Sequence, residues 1–218
     1  MKTKSLFLIA VVVLSCSNTK SNTETSSEEA VQTQDPAVVF NFDNDEPGKL
    51  PSNWTPATST WSIVADGNNK AMKQTEKNSG SQYNICVEGS QRYQNLSAEV
   101  RVKASEGGED QGGGLVWRYQ DAQNYYIMRA NPLENNLRLY QVVNGNRKQM
   151  ESANVKMKSS EWFTLKVVMT GNSIDCYYDG QKLLSSKDDT FPNAGLVGFW
   201  TKADAISLFD DLKITILK

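Results

Sequence analysis

Residues 114–131 read GLVWRYQDAQNYYIMRAN. Apolar and polar side chains alternate on both sides of a short polar break, which is the period of a half-buried strand pair. A turn centred on Ala122-Gln123 sets Gln120 against Tyr125, Arg118 against Ile127 and Val116 against Arg129. Leu115, Trp117, Tyr119, Tyr126 and Met128 then share one apolar face, expected to be core. Arg118, Gln120, Tyr125 and Arg129 share the other. The next run turns at Asn144-Gly145, a pair suited to the positive φ of a tight hairpin. It sets Tyr140 against Gln149 and Arg138 against Glu151, with Leu137, Leu139 and Met150 facing the core.

Outward from this pair of hairpins the pattern repeats. Between Val38 and Leu217 no stretch sustains a helical apolar period, and about fourteen short alternating runs fill the span. Turn pairs Asp66-Gly67, Gly171-Asn172 and Asp179-Gly180 punctuate them. This predicts an all-β fold, a two-sheet antiparallel jelly-roll sandwich over residues 37–218. About 180 residues suffice for one domain with a proper core and are few for two.

The N-terminus has a different character. Lys2 and Lys4 precede an apolar run, Leu6 to Leu14, too short to span a bilayer as a helix. Ser15-Cys16 follows directly, which resembles the lipobox of a bacterial lipoprotein. Residues 1–15 are therefore expected to be a signal peptide and Cys16 a lipidation site, anchoring the chain to an envelope membrane without a transmembrane helix. Residues 17–36 (SNTKSNTETSSEEAVQTQDP) are polar throughout, so with Cys16 they are expected to form a flexible tether, 16–36.

Composition excludes several functions. The chain of 218 residues has no His and a formal charge of −2. Lack of His rules out Ser/His/Asp and Cys/His triads and His-ligated zinc. The near-neutral balance gives no basic footprint for nucleic acid.

The two hairpins together predict one surface carrying Arg118, Gln120, Tyr125, Arg129, Arg138, Tyr140, Gln149 and Glu151. Tyr rings present flat apolar area to a pyranose, and Arg, Gln and Glu supply donors and acceptors for its hydroxyls. A solvated outer sheet face has the same composition, and alternation alone does not separate the two. Trp200, at the start of Trp200-Thr-Lys-Ala-Asp204, either stacks on a sugar, with Lys202 and Asp204 at its edge, or caps the core. Trp54 and Trp61 are expected in packing roles. Cys86 and Cys176 lie in predicted strands and are expected to be two buried thiols rather than a disulfide.

Several of these stretches resemble a group of bacterial secreted domains. They are Gly114–Asp121, Asn124–Asn131, Asn136–Gly145, Gly195–Asp204, Phe209–Leu212 and the opening Phe42-Asp43 with Pro47–Pro51 and Trp54. The group is the family-16-glycoside-hydrolase-like, or 3-keto-disaccharide hydrolase, domains with a concanavalin A-like jelly roll. The resemblance implies that fold and a glycan-associated role, with an oligo- or polysaccharide as partner. It implies catalysis less strongly, because family-16 glucanases carry Glu-x-Asp-x-x-Glu and this chain does not; retaining hydrolysis needs such a carboxylate pair. Glu151 is the one acidic residue expected on the shared face, hence the candidate base of a hydrolase reading. A docking role for a flat face is the third reading. Jelly rolls of this type also often hold a structural calcium where first and last strands meet. Asp43, Asp45 and Asp211 are its candidate ligands, unless these Asp side chains instead bond loop amides.

Overall fold

The strict two-residue period becomes fifteen strands in two antiparallel sheets in the computed structural model, which describes residues 37–218. The first sheet runs β13 (Gln181–Lys187), β12 (Ser173–Tyr178), β11 (Trp162–Thr170), β6 (Leu96–Glu106), β15 (Ile206–Ile216), β4 (Asn69–Gln74), β3 (Trp61–Asp66), with β1 (Ala37–Phe40) also paired to β15. The second runs β10 (Asn146–Asn154), β9 (Asn136–Val143), β8 (Asn124–Asn131), β7 (Gly113–Asp121), β14 (Gly195–Lys202), β5 (Tyr83–Tyr93), β2 (Trp54–Thr58). The signal peptide and tether expected over residues 1–36, Cys16 included, lie outside the described residues.

Alternation explains the layering. On β6, Leu96, Ala98, Val100, Val102 and Ala104 are buried while the residues between them are half-exposed. On β11, Phe163, Leu165, Val167 and Met169 follow the same rule. Between the sheets, Phe199 of β14 stacks on Phe209 of β15 at 4.5 Å between centroids, and on Trp54 of β2 at 4.7 Å. Trp54 and Trp61 are both buried in this core, as expected. Cys86 and Cys176 are separate buried thiols, each pushed up by burial.

The strand β2 was not expected from its sequence, because Pro56 interrupts it. Pro removes a ladder donor and is tolerated at a sheet edge, and β2 is the edge strand of the second sheet.

The two outer faces differ, and the difference locates the site. On the first sheet the outer face is a lattice of surface ion pairs: Lys103 with Asp66 at 2.7 Å, Arg101 with Asp211 at 3.0 Å, Lys166 with Glu99 at 3.7 Å. On the second sheet both faces of the central strands are buried, and Ile85, Val87, Val116, Tyr119, Tyr125, Ile127, Val142 and Trp200 form a second cluster outside the main core.

Candidate carbohydrate site on the second sheet

Arg147 shows the shape of this outer face. It lies on edge strand β10, five strands from β5 in sheet order. In a flat sheet these strands would be about 24 Å apart at the usual spacing. Yet the Arg147 guanidinium carbon sits 4.5 Å from the ring of Tyr140 on β9, 5.4 Å from Tyr83 on β5 and 5.6 Å from Trp200 on β14. The sheet is therefore curled, its outer face is a trough, and Arg147 reaches across it. Tyr119 and Tyr125 stack on the floor at 5.8 Å, and Tyr83 and Trp200 lie 5.5 Å apart.

A charged cluster closes one end of the trough. Arg129 of β8 is 1% exposed. Its guanidinium lies 3.6 Å from Asp110 and donates to Glu134 at 3.2 Å. Arg138 of β9 pairs with the same Glu134 at 2.8 Å. Asn136 donates to Glu134 at 2.9 Å, and Asn131 reaches Asp110 at 3.1 Å and Glu134 at 3.4 Å. Burial by itself would raise the Glu134 carboxyl; the hydrogen bonds from Asn136 and Arg129 and the charges of both arginines override it and hold it at about 2. Burial would likewise lower Arg129, and the charge of Asp110, then Tyr140 and Glu134, keeps it raised. Glu134 and Arg129 are thus both charged at neutral pH.

Tyr125 and Trp200 are fully buried side by side, and the indole N–H of Trp200 is the polar group that faces the Tyr125 hydroxyl. Arg147 Nη1, Arg138 Nε and Arg129 Nε are buried without partners. Burial pushes the Tyr125 hydroxyl up and that of Tyr119 up to about 12, so both phenols are neutral donors.

Of the residues expected on the sugar face, Tyr125, Arg129, Arg138, Tyr140, Gln149, Trp200 and Lys202 share the outer face by strand register. Trp200 settles on the floor of the trough, opposite Gly114. Four residues go elsewhere. Arg118 has φ of 50° at a bulge in β7, which turns its side chain to the end of the sandwich. There it donates to the carbonyls of Phe191 at 2.7 Å, Asn193 at 3.2 Å and Gly171 at 3.3 Å. The same bulge moves Tyr119 from the expected core face to the outer face, and Val116 pairs with Ile127 instead of Arg129. Gln120 donates to the carbonyls of Arg118 and Ala194. Asp204 accepts backbone N–H bonds from Gly108 at 2.7 Å, Asp110 at 2.9 Å and Glu109 at 3.1 Å, which anchors that loop. Despite some burial, these bonds lower the Asp204 carboxyl.

Glu151 also leaves the face. A bulge in β10 between Gln149 and Glu151 sets it opposite Leu139, whose side chain is core, and Ser152 takes the place opposite Arg138. The candidate base is therefore outside the trough. The three calcium candidates do not converge either. Lys70 Nζ takes the carbonyls of Asp43 and Asp45 at 2.7 and 2.9 Å, while Asp211 pairs with Arg101. Among the described residues no three carboxylate, Cys or His groups gather.

Sequence reasoning missed Arg147, Tyr83, Glu134 and Asp110. Arg147 was accessible: the Asn144-Gly145 register that pairs Tyr140 with Gln149 also pairs Val142 with Arg147. Glu134 and Asp110 sit in loops, where no alternation assigns a face.

Comparison with known proteins agrees with this architecture. The profile of the 3-keto-alpha-glucoside-1,2-lyase-like domain family matches residues 36–215. No curated protein matches the sequence. Among solved structures, the chain is similar to the carbohydrate binding module CBM66 from Bacillus subtilis, with TM-score 0.65 and 19% identity over 74% of this chain and 94% of that one. It is similar to the Bacillus licheniformis beta-glucanase, with TM-score 0.59 and 14% identity over 85% and 100%. It is also similar to the GH43 BlXynB protein of Bacillus licheniformis, with TM-score 0.60 and 18% identity over 82% of this chain and 39% of that one.

Proposed function

The chain belongs to the 3-keto-alpha-glucoside-1,2-lyase-like domain family, and from this premise we propose that it binds a saccharide in the trough of the second sheet. One observation carries the reading: Tyr119, Tyr125, Tyr83 and Trp200 form an aromatic floor on one outer face, and the Arg147 guanidinium lies over it. Rings for the C–H faces of a pyranose, with a few fixed donors, are what sugar recognition uses. The printed names of the structural neighbours, a carbohydrate binding module among them, support the class.

Tyr125→Phe tests it. The change keeps the ring and deletes the hydroxyl. Thermal stability is expected to change little, since within the protein only the contact with the Trp200 N–H is lost. Affinity for any saccharide found on a glycan array is expected to fall by about tenfold, read by titration calorimetry, as one hydrogen bond is lost. Unchanged affinity in a folded variant, or no binding across the array, would overturn the reading.

The family name favours a second reading, elimination on a 3-keto glucoside. There a base takes the C2 proton beside the ketone, the C1–O bond breaks, a C1=C2 double bond forms and the alcohol leaves with a proton. The trough does not favour it: Glu134 at about 2 is too weak a base. A 3-keto disaccharide added to the panel decides, since a C1=C2 unsaturated keto sugar among the products, which hydrolysis does not give, would support elimination.

We also propose that Cys16 is lipidated and tethers the domain to an envelope membrane, on the strength of the apolar run Leu6–Leu14 that ends beside it. Cys16→Ala is expected to shift the protein from the membrane fraction to the soluble one; equal membrane recovery would refute it.

A further inference from the structure

The charges of the trough do not balance. Arg129 and Arg138 share Asp110 and Glu134 through ion pairs of 2.8 to 3.6 Å. Arg147 and Lys202 have no such partner; neither forms an ion pair among the described residues. Lys202 lies on the same face, one alternation beyond Trp200. The Arg147 guanidinium is held instead by rings alone, over Tyr140, Tyr83 and Trp200. Its Nη1 is buried with no acceptor. A ring accepts the positive charge but gives no N–H···O bond. A planar guanidinium in this position lacks what it binds best, a carboxylate oriented to its fork.

Resting on the saccharide reading above, we infer that the trough takes an acidic saccharide whose carboxylate pairs with Arg147, with Lys202 adding to the positive field. The rings that now hold Arg147 would then flank the pyranose as well as the guanidinium. Because only rings hold the guanidinium, it is displaced toward an entering carboxylate without breaking a hydrogen bond.

The test is titration of the purified protein with galacturonate oligosaccharides and with neutral galactose oligosaccharides of equal length, by calorimetry and tryptophan fluorescence. The acidic series is expected to bind at least about tenfold tighter, equivalent to about 1.4 kcal/mol. The preference is expected to shrink at high salt, as a charge-assisted contact near the surface should. Arg147→Gln is expected to reduce the acidic-to-neutral ratio by most of that factor. Arg147→Lys, which keeps charge but not the fork, should fall between. Melting curves identify a variant that has lost its fold, in which case the Lys variant and the salt series carry the decision. Equal binding of the two series would overturn this inference while leaving saccharide binding intact. A preference that survives Arg147→Gln would overturn the role of Arg147. No binding by either series, with an array also blank, would overturn both.

Discussion

Arg129→Ala is expected to lose about 3–5 kcal/mol of folding stability, the range for breaking a buried ion pair from one side. Arg129 is 1% exposed and Asp110 is 4% exposed. Removing the guanidinium leaves Asp110 with Asn131 and the Gly112 amide as its remaining donors, and no positive charge. Glu134 is less affected, because Arg138 still pairs with it at 2.8 Å and its own side chain is 39% exposed. The expected damage is thus mostly the cost of an uncompensated buried carboxylate at Asp110. Two controls separate this from simple loss of volume. Arg129→Lys keeps a charge but not the fork that spans Asp110, Glu134 and Asn136, so it should recover part of the loss. Asp110→Asn together with Arg129→Met removes both charges and should cost less than Arg129→Ala alone. Urea unfolding midpoints at neutral pH check all three. A loss below about 1 kcal/mol for Arg129→Ala would mean the pair is hydrated and behaves as a surface contact.

How much of this was legible before the structure follows from what alternation can and cannot encode. The period-2 pattern put Tyr125, Arg129, Arg138 and Tyr140 on one face and Leu115, Trp117, Tyr126, Met128, Leu137 and Leu139 on the other, and all ten lie so. The pattern survives because a buried face tolerates no one-residue slip. It fails at bulges. Arg118 and the Gln149–Glu151 step each break the ladder locally, and nothing in the flanking residues announces either. The Arg118 bulge depends on three carbonyls that come from the β11–β12 turn and the segment before β14, distant in sequence. The trough was illegible for a related reason. Its curvature brings Arg147 to Trp200 across the whole sheet, and curvature is a property of the assembled strands.

Gly195→Ala is expected to destabilise by about 3 kcal/mol or more, at or beyond the usual range for overpacking. A Cβ at Gly195 would stand 2.3 Å from Arg118 C, 2.5 Å from Arg118 Cα and 2.6 Å from Tyr119 N. All three are backbone atoms, so no side-chain rotation relieves the clash. The close approach exists because β14 crosses β7 at its bulge, where Leu196 pairs with Tyr119 and the register then shifts before Gly198 pairs with Val116. Arg118 holds that bulge from the far side through the carbonyls of Phe191, Asn193 and Gly171. The two residues therefore brace one joint, and their effects should not add. Once Gly195→Ala has forced β7 away, the Arg118 fork no longer reaches its acceptors, so adding Arg118→Ala should cost less than it does in the native background. Denaturant unfolding of the two single variants and the double variant measures this coupling. Additive losses would show the glycine and the arginine acting separately. The same joint sets Tyr119 on the trough floor beside Tyr125. A displaced β7 should therefore also weaken saccharide binding in whatever folded Gly195→Ala protein remains, tying a stability defect at the sandwich end to the site on its outer face.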